Sequence, residues 1–353
     1  MEPSPRTGEG YKTMHFPSMP LYPPPRPHRQ IAIKKYLSLE EEKMKVCFIG
    51  MCGHSKQAWR TLKSRPDVQL CGVAAGSHHE NMVASFDPAI PFFTDARQML
   101  DTVRPELVIL SPVFGLTGGW IVECAARGID VFSEKPVASS LDELAVVRAA
   151  VKASGIRFGA MHFLRYAPAF YEAGKLAREG AIGGVRLIHA QKSYKYGTRP
   201  DWYADRSLYG GTIPWVGIHA VDWISYFTGK RFLSVDAAAW GKPEMAALCQ
   251  FQMEDGILAS ASLDYYRPAT ARTHGDDRVR CVGTDGVIEV RDGEILLIGG
   301  DGEKRWKPES APDLVELFLA GNGMAPEEIF RITEAALCAR DAADVGKTVI
   351  IGG

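Results

Sequence analysis

The chain has 353 residues, of which 46% are apolar and 24% charged, a globular composition that can bury a large core and suggests about two domains. Its 41 basic and 42 acidic side chains leave a net charge of −1, so there is no electrostatic argument for nucleic acid or a membrane surface as partner. The seven cysteines contain no C-x-x-C pair. The expectation is reduced thiols in a cytoplasmic protein, with no disulfide scaffold and no metal site. No apolar run is long enough to span a bilayer.

Residues 1–44 read as lying outside the fold. The stretch Pro20-Leu21-Tyr22-Pro23-Pro24-Pro25-Arg26-Pro27 favours extended backbone, and no apolar signal core is present. Glu40-Glu41-Glu42-Lys43 directly precedes Met44. Glutamate and lysine codons are almost wholly purine, so the message there is a purine run before an ATG. Translation from Met44 is therefore expected, with a disordered extension as the alternative. Mass spectrometry of the native N-terminus decides between them.

From residue 45 onward, strand-like runs and helical periodicity alternate. Residues 46–50 are a buried strand, followed by a glycine-bearing turn and a helix over 55–64. Further strands are expected at 68–74 and 107–111, the latter closed by Ser111-Pro112. A helix over 120–127 stops at Gly128. Residues 131–133 form the strand that delivers Glu134-Lys135-Pro136. Ser140 starts a helix to 154, apolar at Leu141, Leu144, Val147, Ala150 and Val151. Residues 156–163 are the last strand. Such alternation implies an α/β fold with a parallel, doubly wound sheet, a Rossmann domain over 45–164.

The texture then changes. A helix over 168–179 precedes long alternating strands at 185–194, 232–240, 246–253, 257–265, 279–282, 287–290 and 295–298. Asp255-Gly256, Asp285-Gly286 and Asp292-Gly293 punctuate them. This describes an α+β domain over 165–353 with one large, open, mainly antiparallel sheet. Helices at 218–227 and 326–343 cannot cover both of its faces. A homo-oligomer, dimer or tetramer, paired through residues 232–298 is the expected result.

The turn Gly50-Met51-Cys52-Gly53-His54-Ser55 departs from the ideal G-x-G-x-x-G at Cys52 and Ser55. Both are small enough for close approach to a pyrophosphate resting on the helix N-terminus. The residues expected to hold the dinucleotide are Gly50, Cys52, Gly53, His54, Ser77, Ser111, Pro112, Glu134 and Lys135. An acid at the end of the second strand would bind the ribose of NAD and repel the phosphate of NADP. Ala75 and Gly76 stand there instead, and Ser77 with His78 and His79 could accept a phosphate. NADP is slightly favoured and NAD stays open.

A glycine turn followed by Glu134-Lys135-Pro136, and later Gly210-Gly211 with Gly217-Ile218-His219, resembles the Gfo/Idh/MocA family of sugar and polyol dehydrogenases from about residue 45 to the C-terminus. The resemblance implies hydride transfer between a nicotinamide and a sugar, inositol or sugar-acid carbinol. It makes Lys135 catalytic, with a cis-like or kinked Lys135-Pro136 bond. It matches His219 to the catalytic histidine and Asp222 to the acid that follows. A lysine with a burial-lowered pKa suits proton transfer, and histidine is the natural shuttle near neutrality. Trp215 stands where the family has aspartate, and Asp222, Asp264, Asp276 and Asp277 are the candidates to replace that acid. The family generally pairs its open sheets into dimers or tetramers.

Arg165, Tyr194, Lys195, Trp215, His219 and Tyr266 are the expected substrate contacts. Aromatics mixed with charges over 191–203 and 264–278 suit a polyhydroxylated ligand, with solvated strands as the plainer alternative. Two other functions remain open. One is a glycosidase that oxidises and re-reduces its sugar on a retained NAD. The other is a silent NAD(P) or sugar sensor, which Trp215 favours.

Overall fold

The computed structural model describes residues 43–80, 87–241 and 244–352. The expectations for the N-terminal extension lie outside them.

The first sheet has six strands: β1 (Met44–Ile49), β2 (Val68–Ala74), β3 (Phe92–Phe93), β4 (Leu107–Leu110), β5 (Asp130–Ser133) and β6 (Phe158–Ala160). Their order is β3-β2-β1-β4-β5-β6 and every pairing is parallel. This is the doubly wound dinucleotide-binding order, in which the chain reverses direction across the sheet at β1. All four residues of β4 are buried, as parallel strands covered on both faces require. Helices α1 (Ser55–Lys63), α2 (Ala96–Val103), α3 (Thr117–Ala126) and α4 (Leu141–Ser154) connect the strands. Asp95 caps α2 by accepting from the amides of Arg97 and Gln98, and Ser140 caps α4 by accepting from Glu143.

Helix α5 (Pro168–Arg178) leads into the second sheet, which contains β7 (Val185–Tyr194), β8 (Phe232–Trp240), β9 (Ala246–Met253), β10 (Leu258–Asp264), β11 (Gly275–Gly283), β12 (Val287–Arg291), β13 (Glu294–Gly299), β14 (Gly302–Trp306) and β15 (Val349–Ile350). The order is β14-β13-β12-β11-β7-β10-β9-β8-β15. All neighbours are antiparallel except β10 and β7. Asp292 and Gly293 take positive φ between β12 and β13, the backbone twist a two-residue hairpin requires.

Short α6 (Arg206–Tyr209), α7 (Ile218–Thr228), α8 (Leu314–Leu319) and α9 (Pro326–Val345) complete the chain. Helices α5, α7 and α9 pack on one face of the second sheet. The other face carries exposed Leu187, Leu248, Leu258 and Trp240. No described helix is long and apolar enough to cross a membrane.

Candidate active site

The glycine turn leaves β1 at the reversal point of the first sheet. Gly50 has φ +76°, and a Cβ there would collide with the Ser111 carbonyl and with Pro112, so only glycine fits. The turn is fixed to the β4 end, where Cys52 donates its amide to the Ser111 carbonyl at 2.8 Å and Ser111 Oγ donates to the Cys52 carbonyl. Helix α1 follows with no side-chain cap and no acid in its first turn. The Ser55 hydroxyl at its start is buried without a partner. A glycine cradle feeding an uncapped helix start, with an orphaned hydroxyl, fits the pyrophosphate of a dinucleotide.

Sequence reasoning missed Glu80. Its Oε1 accepts from the Val113 amide at 3.1 Å, and its Oε2 is buried with no partner. Glu80 thus brings a carboxylate back to the end of β2 and joins it to the β4 end, on either side of the β1 turn. A side chain at Gly76 would lie 2.7 Å from Glu80 Oε1 and 2.5 Å from Pro112 Cβ, so the acid cannot stand at position 76 itself. Burial pushes the Glu80 carboxyl up to about 7, against the opposing pull of backbone amides at Val113, Gly76 and Met51. Ser77 lies in the turn before it, where its Oγ accepts from the His79 amide.

Glu134 and Lys135 leave β5 at the same edge, and the Lys135-Pro136 bond is cis. Glu134 accepts from the His54 amide at 2.7 Å, and its Oε1 lies 2.9 Å from His54 Nδ1. That pairing places the imidazole proton on Nδ1. Burial would raise the Glu134 pKa, but His54 and Lys135 outweigh it and hold the carboxyl below its usual range. Lys135 is 2% exposed. Its Nζ donates to the Trp215 carbonyl at 2.9 Å, stands 3.7 Å from the Trp215 ring centre and 3.7 Å from Glu134 Oε1. Burial, only partly offset by Glu134, lowers its pKa to about 8.

Opposite lies the start of α7, entered by a π-helical turn over Ile213–Gly217. His219 is buried with Nδ1 unpartnered. Burial, then Lys135 and Lys192, drive its pKa well down, so the ring is neutral at pH 7. Trp215 stacks on Phe114. Together these side chains wall a cavity of about 360 Å³, whose lining includes Cys52, Gly53, His54, Lys135, Trp215 and His219.

Asp222 is not brought into that cavity. It is buried in an ion pair with Arg165, 3.0 Å from Nε, with His162 Nδ1 3.3 Å from its other oxygen. Arg165 also bonds Glu328 on α9 at 2.7 Å. Opposite charge pulled this far into the protein serves the junction. Removing Asp222 would leave the buried Arg165 guanidinium with Glu328 as its one remaining carboxylate among the described residues, a destabilising loss. One helical turn places His219 and Asp222 on neighbouring positions, but no hydrogen bond joins them among the described residues.

Of the expected substrate contacts, Tyr194, Trp215 and His219 line the cavity, whereas Arg165, Lys195 and Tyr266 do not. Lys195 Nζ donates to the carbonyls of Ala269 and Ala271. Tyr266 is 53% exposed while Tyr265 is 3% exposed. Tyr265 continues the buried parity of Ala259, Ala261 and Leu263, and one step along an extended chain turns the side chain to the other face. The alternation was the signal that could have chosen Tyr265. Of the proposed replacement acids, Asp277 pairs with buried Lys192, Asp276 with Arg278, and Asp264 accepts from Ser193. Arg199, His274 and Phe114 also line the cavity and were not singled out from sequence.

A parallel sheet in dinucleotide order, a glycine cradle and a buried lysine facing a histidine from a second sheet define a two-domain nicotinamide-nucleotide oxidoreductase architecture. The chain belongs to the Gfo/Idh/MocA family. Residues 44–162 match its "Oxidoreductase family, NAD-binding Rossmann fold" part and residues 170–289 its "GFO/IDH/MocA C-terminal domain". A Thermotoga maritima protein described as an oxidoreductase shares 38% identity and a TM-score of 0.82, over 87% of this chain and 100% of that one. Glucose-fructose oxidoreductase domain-containing protein 1 of Mus musculus is 23% identical over 69% of this chain and 64% of its own length. This chain therefore spans less than two thirds of that relative. The aldose-aldose oxidoreductase of Caulobacter crescentus, complexed with glycerol, has a TM-score of 0.73 at 20% identity, over 88% of this chain and 100% of that one, and shares the fold.

Proposed function

We propose that this protein transfers hydride between a nicotinamide and the carbinol carbon of a sugar, inositol or sugar acid. The observation that carries the reading is Lys135: a buried ammonium with its pKa lowered to about 8, at a strand end on the cofactor edge and inside the cavity. A bound nicotinamide supplies the hydride acceptor. Lys135 takes the hydroxyl proton in oxidation and returns it in reduction, and its charge favours the developing alkoxide. Neutral His219, with a free Nδ1, accepts or relays that proton. His54 and Glu134 position Lys135. Asp222 serves as a structural anchor through Arg165.

Glu80 supports NAD over NADP, since its unpartnered Oε2 suits a ribose hydroxyl and repels a 2′-phosphate. A panel of polyols, aldoses and sugar acids with both cofactors, followed by nicotinamide absorbance, tests the reading. Tight NADH binding with no turnover of any panel member would favour the sensor, which Trp215 in the acid's place supports.

The open face of the second sheet supports self-association. Leu187, Leu248, Leu258 and Trp240 share it, and no described element packs over them. Light scattering at micromolar concentration is expected to give a dimer or tetramer, and a monomeric mass refutes the association.

A further inference from the structure

Among the described residues, the cavity wall carries Lys135, Arg199 and three histidines, His54, His219 and His274, and no carboxylate. A neutral polyol both donates and accepts through its hydroxyls and carries no charge for a cationic wall to neutralise. Beside imidazoles and phenols that donate or accept, this wall sets two cationic side chains, Lys135 and Arg199.

The cations are not equivalent. Lys135 has Glu134 3.7 Å away, and Lys192, just behind the wall, is paired with Asp277. Arg199 has no carboxylate within ion-pair distance among the described residues. Its Nη2 makes one long bond, 3.5 Å, to the Lys195 carbonyl, and its Nε is buried with no acceptor. The guanidinium is nonetheless held in place. Its carbon lies 5.6, 5.2 and 5.1 Å from the ring centres of Tyr196, Tyr203 and Tyr265, so aromatic faces fix the plane of the fork. Burial raises the pKa values of Tyr194, Tyr203 and Tyr265, and these phenols supply no countercharge. A pre-oriented fork with an unused buried N–H, in a cavity whose described lining holds no acid, calls for an anion that presents two oxygens to it.

We propose that the substrate is a polyhydroxy acid whose carboxylate docks on Arg199, with the carbinol presented to Lys135 and His219. This rests on the oxidoreductase reading and narrows it to anionic substrates. A phosphate ester shares the charge and can also take the fork through two oxygens, so glucose 6-phosphate is the probe that separates the two anions.

The experiment compares matched probes with the intact protein: gluconate against glucose, galacturonate against galactose, and glucose 6-phosphate. NADH binding is measured separately by fluorescence. At least one acid is expected to exceed its neutral twin in kcat/KM by about tenfold or more, the scale of one charged hydrogen-bonded contact. Arg199→Gln should abolish that preference, chiefly through KM, and Arg199→Lys should restore part of it. Unchanged NADH affinity in both variants reports an intact fold. Neutral sugars equal to or better than the acids, glucose 6-phosphate preferred over both, no acid bound or turned over, or a preference that survives Arg199→Gln would each overturn the proposal. Those results would leave the oxidoreductase reading standing, whereas failure to bind NADH would remove that reading first.

Discussion

The two walls of the cavity are built from different material. On the first-sheet side the shape is set by backbone: a positive-φ glycine, amides and carbonyls of three adjacent strand ends, and an uncapped helix. On the second-sheet side it is set by rings: Trp215, which stacks on Phe114 from beyond the β4 end, Tyr203 against Tyr209, and Tyr209 bonded through its hydroxyl to Tyr265 at 2.9 Å. A backbone cradle tolerates few changes, because a Cβ in the wrong place meets main chain. A ring wall can be re-cut by exchanging one side chain. On the proposed function, the difference puts cofactor binding on one side and substrate choice on the other.

The largest expected effect lies where the walls meet. Lys135→Ala should lower turnover about a hundredfold or more, the lower end for a general acid–base group, while NADH still binds. Because the Lys135 pKa is lowered to about 8, the neutral amine gains as pH rises through that value. Oxidation should therefore rise through about pH 8 and reduction fall. Steady-state rates in both directions check this, and near-normal turnover in Lys135→Ala removes Lys135 from the mechanism.

On the backbone wall, Glu80→Gln tests whether a side chain there sets cofactor choice. NADH should bind about tenfold better than NADPH in the parent protein, the size expected for one charged contact, and the variant should lose that margin. Burial lifts the Glu80 carboxyl to about 7, so its charge, and with it the discrimination, should grow from pH 6 to 8. Fluorescence titrations with both cofactors decide it. Equal affinities in the parent protein would refute the role given to Glu80.

The smallest effect belongs to the ring wall. Trp215→Asp removes a stacked ring, worth about 0.5–1.5 kcal/mol beyond its buried area, so KM should rise severalfold with NADH affinity unchanged. It also sets an acid beside Lys135, which should move the pH 8 limb upward. A gain in kcat on any sugar would show that the aspartate rebuilds a lost relay, and would favour the sensor for the natural protein.

The same division explains what could be read in the sequence. The cradle was legible because glycine, proline and short strand runs punctuate the chain where backbone geometry is demanding. The seven long alternating segments of the second sheet were legible for a similar reason, since each carries its own period. Short or polar elements were not. Phe92–Phe93 is two residues, Gly302–Trp306 is largely charged, and α2 went unseen despite the Asp95 cap that marks its start. Glu80 was missed because its carboxylate returns to the β2 end from beyond it, a distance in sequence that only the folded turn closes. Arg199 stood within a cluster noted for its chemistry. Nothing local distinguished it from Lys195 until the ion pairs and ring contacts of the folded loops were known.

The borders of the second sheet carry a consequence of their own. One outermost strand, β14, has a run of Glu303, Lys304 and Arg305 exposed to solvent, and the other, β15, is two residues long. A charged margin and a stub both discourage a neighbouring molecule from zipping on and extending the hydrogen-bond ladder. Copies of this chain are thus steered away from open-ended, fibre-like growth. The association proposed above would then run through the broad face, and a contact that closes on itself by rotation stops at a fixed number of subunits.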